Sequence, residues 1–345
     1  MGSERIGNSD SRKNSNANVG VQLAQLLTSQ NTPSPIDYRL FRRELTYKHA
    51  SRTNHVLVRR CIPHQAGRGS APYLVAVLLV LLCGCSTASF FYNHSDTIAA
   101  HYLESLVPLD PQQQSKLHLW LKQELEWHRA TQVEKYVVFL TRVEHQLAAP
   151  ASLTAYLDMQ RTVESFAREF AAHAAAQAVP QLAALTPLQV NELFDNLDKN
   201  ERKQAAKRAR RSPDRMRDDR EKRAVRMMVT WSGEITDEQR SILKAAISRL
   251  SLSDREQQDA RRQWRRALQQ ATLQLRNSND QQRLKILLAH PEQSYPAEYR
   301  ARDQRDTQLI IETLVAIDKS LTNAQRERLR EKLRALIEDL TTLRS

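Results

Sequence analysis

Apolar residues recur at steps of three and four along the later part of the sequence, and this spacing predicts amphipathic α-helices. Two such stripes consist of Ile242, Leu243, Ala246, Ile247 and Leu250, and of Leu329, Leu333, Leu336, Ile337, Leu340 and Leu343. No stretch after Cys85 shows the alternation of apolar and polar residues that predicts a strand. We therefore expect this part of the chain to be all-α.

Four of the expected helices begin with one pattern: an aliphatic residue, then Thr or Asp, then Gln three positions further on. The Thr or Asp side chain accepts an early helix N–H and the Gln reaches back to the cap, so the pattern is a capping box. A Leu also lies eight positions after each aliphatic residue. The boxes start at Leu109, Leu185, Ile235 and Leu321, and their glutamines are Gln113, Gln189, Gln239 and Gln325.

The boxes follow one another at 76, 50 and 86 residues, which is too irregular for a solenoid repeat. A further box at Ser253–Glu256 predicts a helix through about Arg276, and Pro291–Pro296 is typical of a linker. The expected architecture is one elongated multi-helix bundle or two packed helical subdomains. Of seven glycines only Gly233 follows Cys85, which makes a nucleotide-binding α/β fold or a β-barrel very unfavourable.

An export signal is predicted before this helical part. Residues 73–83 are an apolar run of 11, shorter than the roughly 20 residues of a membrane-spanning helix but typical of a signal-peptide core. Leu82-Cys83-Gly84-Cys85 at its end resembles the lipobox of bacterial lipoproteins. The resemblance implies that Cys85 is lipidated after cleavage before it. The alternative is a buried apolar helix with an incidental cysteine.

These signals divide the chain into three parts. Residues 1–55 are polar and are expected to be disordered or a mis-assigned N-terminal extension, residues 56–84 a lipoprotein signal peptide, and residues 85–345 a helical lipoprotein domain. Ser86, in place of an Asp, implies an outer-membrane anchor facing the periplasm. The net charge of +13 divides into +7 before residue 86 and +6 after it, so much of the basic character would be lost on cleavage.

Residues 199–226 are the densest charged run, with 13 basic and 5 acidic side chains. The first interpretation is two solvated helices, separated at Ser212-Pro213, with acids interleaved for pairs such as Asp218–Lys222. The second is a surface that binds anionic envelope components. Nucleic acid is the least favoured partner, because aromatic residues for base stacking are scarce and because export would separate the protein from nucleic acid.

Cys85-Ser86-Thr87, Tyr92–Thr97, Trp127-His128-Arg129 and Trp231–Thr236 with Gln239 together resemble an uncharacterised proteobacterial lipoprotein family, known only as a domain of unknown function. This resemblance extends from Cys85 to near the C-terminus and implies a helical envelope lipoprotein without an assigned catalytic residue. The LTxxQ form of the boxes is also similar to that of Spy- and CpxP-type periplasmic chaperones, although helix capping alone accounts for it.

The sequence predicts no catalytic, cofactor-binding or metal-binding residue. Glu124 with His128, and Glu169 with His173, share helix faces at i,i+4, but no HExxH or Glu-x-x-His pattern occurs. Gly233 is expected to be a left-handed helix cap beside a packed Trp231.

Two functions remain. The favoured one is a non-enzymatic, lipid-anchored module that binds envelope proteins or unfolded clients. The other is an enzyme whose site assembles from scattered helix residues.

Overall fold

The helices that follow the four capping boxes begin where local capping chemistry predicts them. The computed structural model describes residues 92–251, 254–275 and 278–344. Within these ranges it contains eleven α-helices and no strand, which confirms the all-α prediction. We number them α1 (Ser95–Glu104), α2 (Pro111–Thr131), α3 (Val133–Gln146), α4 (Leu153–Ala183), α5 (Pro187–Ala209), α6 (Pro213–Ser232), α7 (Asp237–Arg249), α8 (Asp254–Leu273), α9 (Ser278–Ala289), α10 (Ala297–Ser320) and α11 (Asn323–Arg344).

All four boxes cap a helix, at the start of α2, α5, α7 and α11. At Thr236, for example, the hydroxyl accepts the Gln239 N–H at 3.2 Å, and the Gln239 side chain accepts the Thr236 N–H at 3.0 Å. The linker prediction holds in part, because Pro291–Ser294 forms a short 3-10 helix before α10. The cap predicted at Ser253 lies outside the described residues.

The box glutamines also join helices that are far apart in sequence. Gln239 Nε2 donates to Gln325 Oε1 at 2.8 Å, and Gln325 Nε2 donates back to Gln239 Oε1 at 2.9 Å. Each amide donates a second hydrogen bond to a carbonyl five residues before its partner, Ser320 O at 3.0 Å and Glu234 O at 2.6 Å. We call this pair the second clasp. It holds the N-termini of α7 and α11 together.

The first clasp has the same pattern. Gln113 and Gln189 exchange amide hydrogen bonds of 3.1 and 2.7 Å. Their remaining N–H groups donate to Ala184 O and Pro108 O, again five residues before the partner glutamine. Counting the capping bonds, each of the four amides donates two hydrogen bonds and accepts two, which is the full capacity of the group. The clasps therefore pair the boxes two by two.

A hydrophobic cluster lies beside each clasp. One cluster includes Leu106, Val190, Phe194 and Leu284, and the other includes Leu243, Ile247 and Ile310. The aliphatic residues that open the boxes pack against these clusters, Leu109 and Leu185 on the first and Ile235 on the second. All described residues nevertheless belong to one compact unit. Of the two expected arrangements, one bundle or two packed subdomains, the structure therefore has a single packed helical body with two hydrophobic clusters.

Gly233 ends α6, as expected, but not in the predicted conformation. Its φ is 89° and its ψ is −154°, which lies outside the left-handed helical region and in a region that only glycine adopts readily. A Cβ built here would lie 3.3 Å from Cδ of Arg328 on α11. The backbone conformation of the turn into Glu234 therefore requires glycine, and a Cβ would in addition press against the Arg328 side chain. Trp231 is half-buried in the last turn of α6.

Candidate functional site

Cys85, the predicted lipidation site, lies outside the described residues, as do the extension 1–55 and the signal peptide 56–84. Lipidation and cleavage therefore stay predictions. None of the helices in the described ranges is both long and apolar enough to cross a membrane.

Two of the segments that carry the family resemblance meet in space, although 36 residues separate them. The Tyr92 hydroxyl lies 2.9 Å from Nδ1 of His128, and Arg129 Nη2 donates to Asn93 Oδ1 at 2.8 Å. The Arg129 guanidinium also lies 5.7 Å from the centre of the Tyr92 ring. The start of the described chain is thus fixed against the last turns of α2.

His128 lies between two tyrosines. Its Nε2 lies 3.3 Å from the hydroxyl of Tyr136 on α3, in addition to the Tyr92 contact at Nδ1. A neutral imidazole has one N–H and one bare nitrogen, so one tyrosine accepts a hydrogen bond and the other donates one. Burial lowers the pKa of His128 and raises the pKa of both Tyr92 and Tyr136. The three side chains therefore form a neutral polar group near pH 7.

Two members of this polar group, His128 and Tyr136, line an apolar groove of about 770 Å³. Ligand pockets in proteins commonly measure about 300–1,000 Å³, so the volume is large enough for a substantial ligand. We define the groove by His128 of α2, by α3 and α4, by the end of α9 with Pro291 of the following 3-10 helix, and by one residue of α11. Its lining consists of His128, Tyr136, Phe139, Leu140, Val163, Phe166, Ala167, Phe170, Ala171, Ala174, Ala175, Ala178, Leu288, Ala289, Pro291 and Leu340.

The groove exists because α4 has small side chains where its neighbours have large ones. Ala167, Ala171, Ala174 and Ala178 recur at steps of three and four, so they share one face of α4. Tyr136 and Phe139 of α3 also line the groove, and Phe166, which lies beside Ala167 on α4, packs edge-on against both of them. The alanines leave space that these rings do not fill.

A second aromatic pair lies next to the groove and joins α2 to α4. The Trp127 and His173 rings stack with their centres 3.5 Å apart, and Trp127 also contacts Phe170. His173 Nε2 lies 3.0 Å from Glu124 Oε2, within ion-pair distance but without the alignment of a hydrogen bond. Trp120 Nε1 donates to the other Glu124 oxygen at 3.1 Å. This arrangement fixes α2 against α4.

The i,i+4 pairs considered for a metal are not formed. His128 contacts tyrosines rather than Glu124, and His173 contacts Glu124 rather than Glu169. Glu169 instead binds Lys135 and accepts from Gln132 Nε2 at 3.0 Å. Over the ranges that the structure describes, no three His, Cys, Asp or Glu side chains are grouped so as to hold a metal ion. The groove therefore offers apolar contact area and one neutral polar pair, His128 and Tyr136.

Neither a protein with a curated description nor a solved structure matches the chain. A family model does match, over residues 105–300, and its description reads "Family of unknown function (DUF6279)". The match contains most of the groove and the Trp127–Arg129 segment, but it is narrower than expected, because it starts after Cys85 and ends before the fourth box. It covers more than half of the 345 residues. The chain therefore belongs to the DUF6279 family of unknown function.

Proposed function

We propose that this protein is a lipid-anchored envelope lipoprotein that acts by binding rather than by catalysis. In this proposal its groove takes up apolar segments of unfolded envelope proteins, as a chaperone does. The observation that carries the proposal is the groove itself, which is lined by aromatic and aliphatic side chains with no charged residue among them.

The length of the groove favours an extended polypeptide as the occupant. Its lining on α4 runs from Val163 to Ala178, or roughly 22 Å at the helical rise per residue. A fully extended chain covers this distance with about seven residues. An unfolded protein offers apolar segments of that length, whereas a folded partner has already buried most of its apolar side chains.

Phe170 is the groove residue at which the proposed binding can be tested, because its ring is exposed. This ring lines the groove and yet is 45% exposed, so a bound segment can cover it and remove apolar surface from water. The neighbouring Phe166 and Phe139 pack against each other and stabilise the groove wall. Phe170 is therefore the exposed ring of the groove at which a replacement acts directly on the binding surface.

The anchor is proposed on the sequence Leu82-Cys83-Gly84-Cys85, with localisation at the outer membrane facing the periplasm. Tyr92 follows Cys85 by seven residues, so an anchor at Cys85 would hold the helical body within roughly 25 Å of the lipid. More than one acyl chain is needed for stable attachment, which is what lipoprotein processing supplies.

The groove is tested with a soluble protein that begins at Ser86, after circular dichroism has verified cooperative unfolding. We expect near-stoichiometric amounts to suppress the aggregation of a denatured client protein, measured by light scattering. Phe170→Glu places a charge on the groove surface, and we expect it to raise the concentration needed for half-suppression about tenfold or more.

Leu188→Glu is the matched control, because Leu188 is 75% exposed on α5 and does not line the groove. It introduces the same charge and should retain suppression. Equal losses in both variants would refute the assignment of binding to the groove. No suppression by the parent protein, together with a bound metal in elemental analysis, would favour an enzyme instead.

The anchor is tested separately by labelling cells with palmitate. We expect the full-length protein to incorporate label and Cys85→Ala to incorporate none, while Cys83→Ala keeps it. Undiminished labelling of the Cys85→Ala variant would exclude lipidation at this residue.

A further inference from the structure

The second feature without an assigned role is the basic run, residues 199–226, which we call the basic junction. It spans the end of α5 and the first half of α6, and Ser212 caps α6 as the sequence predicts. Its helices continue into different cores, since Phe194 of α5 lies in one cluster and Val225 of α6 packs on the other. Only Arg208 and Arg220 are buried in this fully described stretch.

Most basic side chains of the junction face solvent. Arg208 pairs with Glu201 at 3.1 Å, and Arg220 Nη1 donates to Ser251 O at 2.9 Å. Within the described ranges, the following eight are exposed and form no ion pair: Lys199, Arg202, Lys203, Lys207, Arg210, Arg215, Lys222 and Arg226.

The acids do not balance these cations. Asp214 pairs with Arg217 at 3.1 Å and Asp219 with Arg211 at 3.4 Å. The pair expected between Asp218 and Lys222 is not among the ion pairs of the described residues. The acids are thus largely engaged with arginines other than the exposed ones. The junction retains a surplus of free positive charge, because its 5 acidic side chains cannot balance 13 basic ones even if every acid is paired.

Arg223 adds an observation of a different kind. Its Nε and Nη2 are buried and have no hydrogen-bond partner. These two atoms form the edge of the guanidinium that binds a phosphate or carboxylate with two parallel hydrogen bonds. Burial lowers the pKa of Arg223, and Arg220, Arg226 and Arg211 lower it further, whereas Asp219 raises it. The side chain as a whole is only partly buried.

We propose that the basic junction binds the phosphate groups of anionic lipid headgroups at a membrane surface. Its exposed cations are spread over two helices, which suits an extended plane of phosphates better than a single free phosphate. Nucleic acid is the less favoured partner, because residues 199–226 contain no aromatic side chain on which a base can stack. The proposal does not depend on the groove or on the anchor at Cys85.

The test uses the full-length protein purified in a nonionic detergent. Its binding is measured to detergent micelles that carry either phosphatidylglycerol or phosphatidylcholine. We expect a clear preference for phosphatidylglycerol that weakens as sodium chloride is added. The triple variant Lys203→Gln, Lys207→Gln, Arg210→Gln should lose about a hundredfold in affinity, since each cation near an anionic surface contributes about fivefold.

The matched control is Lys244→Gln, Arg249→Gln, Arg283→Gln, which removes the same charge from exposed positions outside the junction. It should keep the preference. Equal losses of affinity in both triple variants would show that binding depends only on the net charge of the protein, and this would overturn the proposal. Complete competition by inorganic phosphate at constant ionic strength would identify a free-phosphate site instead. Tighter binding of a single-stranded oligonucleotide, without a lipid preference, would identify a nucleic-acid surface.

Discussion

At the scale of single residues, each box glutamine uses its one amide group both to cap its own helix and to join that helix to another. Capping uses the carbonyl oxygen of Gln239 toward its own helix, which leaves its N–H groups and the other lone pair free. The second clasp uses those remaining groups on Gln325 and Ser320. A side chain with only one donor or acceptor could cap the helix but could not join two helices.

The two clasps differ in burial, and this difference gives a prediction. Gln239 is 0% and Gln325 6% exposed, whereas Gln113 and Gln189 are half-buried. Gln239→Ala leaves polar groups unpaired away from water and should lower the free energy of unfolding by about 3 kcal/mol. Gln113→Ala exposes the equivalent groups to water and should cost about 1 kcal/mol. Urea denaturation of both variants measures the difference.

Gln112→Ala, on the exposed face of the same turn of α2, is the control and should change stability by less than about 0.5 kcal/mol. Equal losses for Gln239→Ala and Gln113→Ala would show that each glutamine stabilises the protein through helix capping alone and that burial of the amide pair adds nothing to the free energy of unfolding.

At the scale of helices, a buried ion pair ties two turns together. Asp318 near the end of α10 is 1% exposed and accepts hydrogen bonds from Arg326 Nη1 at 2.7 Å and from Ala151 N at 2.6 Å. Arg326 also donates to Leu147 O at 3.2 Å. The turn between α10 and α11 is thereby fixed to the loop between α3 and α4. Residues of α3, α4 and α11 all line the groove.

Removing one partner of this pair should be costly. Arg326→Met leaves a buried carboxylate without its counter-charge, and we expect a loss of about 3–5 kcal/mol in the free energy of unfolding. Adding Asp318→Leu should recover much of it, because no buried charge then remains. Arg161→Met breaks an exposed pair with Asp158 and should cost less than about 1 kcal/mol. Urea unfolding of the single and double variants measures these changes, and a double variant less stable than Arg326→Met would contradict this account.

The helices themselves could be predicted because their signals are local. Thr236 and Gln239 are three residues apart, and Leu243 and Ile247 follow at helical spacing, so capping and burial are both visible in a short window. The pairing of Gln239 with Gln325 was not predicted, because 86 residues separate them and irregular spacing concealed a two-by-two arrangement. The sequence did contain one signal of this pairing. A capping box permits glutamate or glutamine at its fourth position, yet all four boxes have glutamine, which can also donate hydrogen bonds.

At the scale of the whole molecule, the groove could not be predicted from the sequence. Ala171 and Ala174 indicate only a helix with a smooth face, and Phe139 and Phe166 indicate only buried rings. A cavity results when such faces oppose each other, and that depends on contacts among α3, α4, α9 and α11. The meeting of Tyr92 with His128 is likewise a long-range contact. The family resemblance identified both segments without indicating that they touch.

The clasps also constrain how the chain can fold. They close loops of 76 and 86 residues, and the entropy of closing a loop grows only slowly with its length, so neither clasp has a large advantage in forming first. Long-range contacts of this kind slow folding compared with helical bundles built from adjacent pairs. Gln239 has no partner until Gln325 is present, close to the C-terminus. The second core therefore reaches its final packing only after α11 has been made, 86 residues later in the chain than the glutamine of α7 that waits for it.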